Sequence, residues 1–267
     1  VPAGGGPPVH TRRQRRFGAA GALALAGVAG RAPAFAAAEG GAEARLDAML
    51  EAFYQEALED SPELVTQLGL DQGARAAAKG QLSPASLEEL ARDRAKTADQ
   101  LARLQTIPRD ELTGMARVNR DAVMFSLETT DAANKRFVYG DEGAGQPYVL
   151  TQLTGAYQWV PDFLGSQHTI ETKADADAYL SRLEAFGSVM DQEVERVRRD
   201  VGLGVIPPDF IIERALIQMN GLKGQPADSP LVTSVATRAA EKGIAGDYAA
   251  QASKIYLEKV VPALDRQ

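Results

Sequence analysis

Apolar residues recur at spacings of three and four along most of this chain. Leu46, Met49, Leu50, Phe53 and Ala57 mark one face of a first helix that stops near Asp60. Ser61-Pro62 and Ser83-Pro84 each set a capping hydroxyl before a proline at a first helical position, where the missing N–H costs nothing. From the second of these, Leu87, Leu90, Arg94, Ala98, Leu101 and Leu104 descend a long helix. Its stripe is broken only by an arginine whose stem is expected to lie along the apolar face. Another helix is predicted over about residues 110–130. The clearest pattern comes next. Thr172 with Asp175 has the form of a capping box, and Ala176, Tyr179, Leu183, Phe186, Met190, Val194, Val197 and Val201 alternate threes and fours until Gly202. Such a stripe is about 40 Å long at about 1.5 Å per residue, so it needs several packing partners. Ser229-Pro230 is expected to cap a further helix, and the last begins near Gly246 with Tyr248, Ala252 and Ile255.

Strand signals are weak by comparison. Residues 136–139 are β-prone, and a loop with Gly140, Gly143, Gly145 and Pro147 follows them. The expected fold is therefore all-α: a multi-helix lobe of long antiparallel helices with at most one short β-hairpin. There is no repeat of fixed period, no Gly-rich phosphate loop and no nucleophile elbow.

The beginning of the chain breaks the helical pattern. Arg12, Arg13, Arg15 and Arg16 precede an apolar run over 17–30 that is too short to span a bilayer, which takes about 20 residues. Ala34-Phe35-Ala36 and Ala36-Ala37-Ala38 both suit a signal peptidase, so residues 1–38 are expected to be an export signal with an upstream leader, cleaved between Ala37 and Glu39. Thr11-Arg12-Arg13-Gln14 begins like a twin-arginine motif, but Arg15 stands where an apolar residue is usual, so ordinary secretion is the alternative route. Either route leads to a periplasmic or secreted protein. At the other end, residues 246–267 continue a helical pattern through Pro262 without a cap, and are expected to be a helix truncated at its C-terminal end.

Charge and composition narrow the function classes. The whole chain carries a formal charge of −7, and residues 1–38 hold five arginines and no acid. The body from residue 39 onwards is therefore strongly acidic, which argues against nucleic acid or an anionic membrane as partner. Arg196, Arg198 and Arg199 are the one local basic cluster. Interleaved with Glu193, Glu195 and Asp200, they read as the solvated side of a helix. With no cysteine, the chain has no disulfide framework and no lipid-anchoring thiol, so no membrane anchor is expected.

Candidate chemistry is sparse. His10 and His168 are the only histidines. As a ligand His168 would have to recruit Asp162, Glu171 or Asp175, whereas a histidine in a loop before a helix is more often a surface or capping side chain. Glu193 and Glu195 lie two residues apart, about 200° round a helix, so they do not form an acid–base pair, and Asp175 and Asp177 fail for the same reason.

An ordered set of segments resembles a known family. Ser61-Pro62-Glu63-Leu64-Val65-Thr66-Gln67-Leu68-Gly69-Leu70, Arg120-Asp121, Ala174-Asp175-Ala176-Asp177-Ala178-Tyr179-Leu180-Ser181-Arg182-Leu183, Gly202-Leu203-Gly204-Val205-Ile206-Pro207-Pro208 and Val261-Pro262-Ala263-Leu264 are similar to the bacterial family called domain of unknown function 885. The resemblance covers residues 45–267. It implies a largely helical, often exported protein about twice this length that looks like a zinc metallopeptidase of the helical oligopeptidase type, with a His-Glu-x-x-His helix in its C-terminal half. No such motif occurs in this chain. The resemblance thus implies no catalytic residue, metal ligand or cofactor here, zinc belonging to the full-length family. Residues 39–267 would be the N-terminal lobe, with the C-terminal lobe of the same parent protein as its partner and peptides as ligands. Such a lobe walls a channel. Tyr148, Gln152, Tyr157, Gln158 and Trp159 suit a channel wall, because amides pair with peptide backbone and aromatics cover side chains. The competing reading makes Tyr157 and Trp159 core anchors. The alternative function is a noncatalytic helical binding or scaffold module of the periplasm.

Overall fold

The computed structural model describes residues 41–140 and 146–267. The expected export signal over 1–38, and Gly143 and Gly145 of the expected hairpin loop, lie outside the described residues. Within them ten α-helices follow one another: α1 (Ala42–Asp60), α2 (Pro62–Gln67), α3 (Leu87–Gln105), α4 (Gly114–Arg136), α5 (Ala156–Ser166), α6 (Lys173–Gly202), α7 (Asp209–Leu222), α8 (Pro230–Glu241), α9 (Tyr248–Ile255) and α10 (Val261–Arg266). The all-α expectation holds. Among the described residues the only β pairing is an isolated bridge between Thr151 and Thr154, and the β-prone residues after Arg136 are simply the extended exit from α4. No helix among them is long and apolar enough to cross a membrane.

Local chemistry sets the boundaries. Ser61 caps α2 as expected, its hydroxyl accepting from the Leu64 amide at 3.2 Å, with Pro62 at the first helical position. Ser83-Pro84 does not start α3. The cap is Ser86, whose hydroxyl accepts from the Glu89 amide at 3.1 Å. Ser83 is instead taken up by the buried Glu63 carboxylate, which accepts from its amide at 2.7 Å and from its hydroxyl at 2.5 Å. A tertiary carboxylate outcompetes the local cap. At α6 the capping box is complete, Thr172 and Asp175 each accepting from the other's amide.

A small patch of Leu58, Leu64 and Val65 joins α1 to α2, and the rest of the core among the described residues lies in two parts. The smaller brings Leu46, Leu50 and Phe53 of α1 against Leu104 of α3 and Met124 and Leu127 of α4. The larger is built round α6, where Ala176, Tyr179, Leu183, Phe186 and Met190 are wholly buried. The 3-10 turn over Gly73–Gly80, α5, α8, α9 and α10 all pack on this helix, so the long stripe finds its partners within the chain as far as Val194. Burying the four large side chains Tyr179, Leu183, Phe186 and Met190 contributes about 6–12 kcal/mol before chain entropy is subtracted.

Close approach needs a small residue, and Gly187 supplies it: a methyl group there would lie 2.9 Å from the Lys259 carbonyl oxygen. Lys259 belongs to a π-helical turn, Tyr256–Val260, in which the Val261 amide reaches back five residues to the Tyr256 carbonyl. That turn leads straight into α10, which carries Pro262 in its first turn. The predicted helix through the proline is therefore interrupted rather than strained. A widened turn ends the α9 ladder, and the proline begins a new one.

Candidate functional site

Three charged residues on α6 are buried where the sequence reading placed them in solvent. Glu193, Arg196 and Asp200 are 1, 4 and 3% exposed. Their spacing of three and four is the spacing of the apolar stripe itself, and that was the missed signal: these charges continue the buried face, while Glu195 and Arg198 between them are exposed. Glu195 pointing away from Glu193 agrees with the sequence argument against an acid–base pair.

Each buried charge holds backbone. The Asp200 carboxylate accepts from the Gly140 amide at 2.8 Å and pairs with Arg199 at 2.6 Å. Arg196 donates to the Gly140 carbonyl at 3.1 Å. About one turn before Arg196, Glu193 accepts from the Ala156 amide with both oxygens, at 2.8 and 3.0 Å, and from the Gln267 side chain at 3.0 Å. Ala156 opens α5, so a buried carboxylate meets the positive end of that helix. The connection between α4 and α5 is thereby fixed to α6 at both of its ends.

Residues 147–150 of that connection form one wall of a groove of about 180 Å³. The other walls are Val197 and Val201 of α6, Ile206 and Pro207, and Ile212, Leu216 and Met219 of α7, with Asp200 and Gln267 as its polar members. Tyr148 is the predicted site residue that lines it. Tyr157 and Gln158 reach α7 instead through one shared acceptor. The Gln218 side-chain oxygen lies 3.1 Å from the Tyr157 hydroxyl and 2.6 Å from the Gln158 amide nitrogen. The Tyr157 hydroxyl also lies 2.6 Å from the Thr151 carbonyl, its ring is buried in the main core, and burial pushes its pKa up. Gln152 is half-buried on the same connection. Trp159 packs edge-on to Phe163 at 6.0 Å against the main core. The structure therefore brings Tyr148 to the groove, joins Tyr157 and Gln158 to α7, and places Gln152 and Trp159 outside the lining.

His168 is neither a surface nor a capping side chain. It is 1% exposed, edge-on to Tyr179 at 5.4 Å, with both ring nitrogens engaged. Arg182 lies 2.9 Å from Nδ1 and the Asp175 carbonyl 2.9 Å from Nε2. The rest of the Arg182 fork is spent on Thr66 at 2.8 Å and on the carbonyls of Gln81 and Ala78 at 2.8 and 3.0 Å. Arg238 in turn holds the carbonyls of His168 and Leu164, at 2.6 and 2.9 Å. This cluster ties α2, the Gly73–Gly80 turn, α6 and α8 together. With no nitrogen left to give, His168 does not fit a metal, and no group of three or more metal-ligating side chains occurs among the described residues.

A family model described as "Bacterial protein of unknown function (DUF885)" matches residues 62–267. A crystal structure described as that of "the putative lipoprotein from Colwellia psychrerythraea" has the same fold, with a TM-score of 0.68 at 18% identity. The likeness covers 84% of this chain and 39% of the other, so the present chain spans well under half of that protein. No curated protein matches the chain.

Proposed function

Because this chain belongs to the bacterial family of unknown function 885, matching it over residues 62–267, we propose that it is one lobe of a larger exported hydrolase of the helical zinc-peptidase kind. In that reading it is the N-terminal lobe and supplies one wall of a peptide-binding channel. The observation that carries this is the groove between residues 147–150, the end of α6 and α7. Its aliphatic lining suits a bulky apolar side chain, and its volume of about 180 Å³ is that of one such group rather than of a whole small molecule. Tyr148, with an aromatic face and a hydroxyl, suits the edge of a peptide site. Gln218 stands on α7, one wall of the groove, and bonds Gln158 of α5 at 2.6 Å, so this amide pair lies beside the groove as a further polar contact for peptide backbone.

The zinc implied by the family resemblance does not fit the described residues, whose donors form no cluster and whose buried histidine is fully engaged. No chemical step is assigned to them. What this lobe does is bind, orient and shield. Export to the periplasm or beyond rests on the arginine cluster and the small-residue cleavage site over 1–38.

The test is binding to the full-length parent protein. Fluorescent peptides carrying a single Leu or Phe are expected to bind, and Ile212→Glu in the groove should weaken them about tenfold or more, since a charge would then face an apolar side chain. Peptides that bind equally well to the variant, or that fail to bind a zinc-replete parent at all, would overturn the channel-wall reading.

A further inference from the structure

Helix α7 is apolar on two opposite sides, and only one of them is covered. Ala215 and Met219, four residues apart, face the core and are buried. Phe210 and Ile217, seven residues apart, share another face, about 170° away at about 100° per residue. They are 60 and 71% exposed. Glu213 and Arg214, both exposed, lie on either side of this seam. Gly221, one turn beyond Ile217, has open space where a side chain would stand. Beside the seam, Val201, Ile206 and Leu216 on the groove lip are also exposed.

A narrow apolar seam with a charged rim is the form of a helix–helix interface. We propose that the Phe210–Ile217 face of α7 is the surface on which the remaining part of a longer parent polypeptide docks, through a helix laid along the seam. This rests on the two-lobe reading above. The occupant is argued from length: a protein of this fold has 39% of its chain in the matched part, so the larger share of such a molecule lies outside it and is available to cover an exposed face. Among the helices described here, α7 is the one that is apolar opposite its buried face while also forming a wall of the groove. A second lobe seated on it would therefore lie beside the groove without entering it.

The absence of cysteine from this chain gives a direct probe. Ile217→Cys is introduced into the 267-residue chain and into the full-length parent, with Glu195→Cys, at an exposed position of α6, as the control. A maleimide should label the Ile217→Cys thiol at least about tenfold more slowly in the parent than in the shorter chain, while the control labels alike in both. Equal rates at position 217 would overturn the proposal. Protection already present in the shorter chain, together with a dimer by sedimentation, would overturn it in favour of a second copy as the occupant. The readout involves no peptide, so a parent that protects position 217 but binds no peptide removes the channel and leaves the docking face standing.

Discussion

Arg182 donates to Nδ1 of His168 across 2.9 Å, so one fully buried side chain fixes the protonation of another. A guanidinium only donates and a carbonyl only accepts. Nδ1 must therefore be the bare nitrogen, and Nε2 must carry the proton given to the Asp175 carbonyl. A second proton has no lone pair to take except the one Arg182 already holds.

The pH dependence of stability follows from that pairing. Burial, followed by the positive charges of Arg182, Lys79 and Arg238, outweighs the Asp175 carbonyl contact and pushes the His168 pKa from 6.5 down to about 4. As pH falls, the unfolded chain takes up this proton first, so the stabilisation is complete above pH 6.5, declines between 6.5 and 4, and is fully lost below 4. The gap corresponds to about 3 kcal/mol, or a fall of roughly 5–10 °C in thermal midpoint between pH 7 and pH 4. His168→Gln should flatten that decline while lowering the midpoint at pH 7. If variant and parent chain lose stability in parallel over this window, the assignment fails. Asp175 acts lower. Burial raises its pKa, but Lys79, the Glu171 amide and Thr172 hold it at about 2, so its contribution is present above 3.8 and is lost only as pH drops through 2.

Arg182→Lys should be as harmful as a large-to-small core change. One ammonium cannot span the carbonyls of Gln81 and Ala78, the Thr66 hydroxyl and the His168 ring, all of which the fork reaches. The expected loss is about 3–5 kcal/mol, because buried acceptors are left unpaired. Urea denaturation measures it, and Arg198→Lys on the exposed face should stay within about 0.5 kcal/mol.

Releasing one end of the α4–α5 connection should loosen the groove wall before it unfolds the molecule. Glu193→Gln removes the charge that meets the start of α5, at a cost of about 1–2 kcal/mol. Hydrogen exchange at Tyr148, Val149 and Leu150 should then rise while α6 amides stay protected. Exchange that rises uniformly along the chain would mean that Glu193 supports the whole core rather than the connection.

Two glycines separate helix propensity from packing. At Gly165 in α5 nothing lies within 4 Å of an added methyl, so Gly165→Ala should stabilise by about 0.5–1 kcal/mol. At Gly187 the methyl would press on the Lys259 carbonyl at 2.9 Å, and Gly187→Ala should destabilise by about 1–3 kcal/mol despite the same gain in propensity. Thermal melts of the two variants should move in opposite directions.

The helices were legible where local chemistry and burial agree. The stripe and capping box of α6, the Ser61-Pro62 start of α2 and the end of α1 at Asp60 are all properties of neighbouring residues, and the structure keeps them. What the sequence hid depends on partners far along the chain. Ser83 was diverted from capping by Glu63, twenty residues away. Arg94, expected only to lay its stem along the stripe, donates to the Phe137 carbonyl at 3.1 Å. Tyr179 and Arg182 share a face of α6, but no local pattern brings them to His168 or sets Arg238 of α8 beside it. Of the candidate site, Tyr148 is chosen on composition and lines the groove, whereas the α7 side was missed because no helix is predicted over residues 209–222, where Ile212, Leu216 and Met219 lie.

The π turn at Tyr256–Val260 also sets rotational phase. One extra residue in a helix advances everything after it by about 100°, and this turn absorbs that advance at one place. Tyr248 and Ala252 before it, and Ala263 and Leu264 after it, are therefore all buried in the same core. Deleting one residue from the turn would return the spacing to α-helical, leave Pro262 inside a helix, and aim Ala263 and Leu264 elsewhere. The irregular turn is thus a counting device, and straightening it would cost the molecule its alignment.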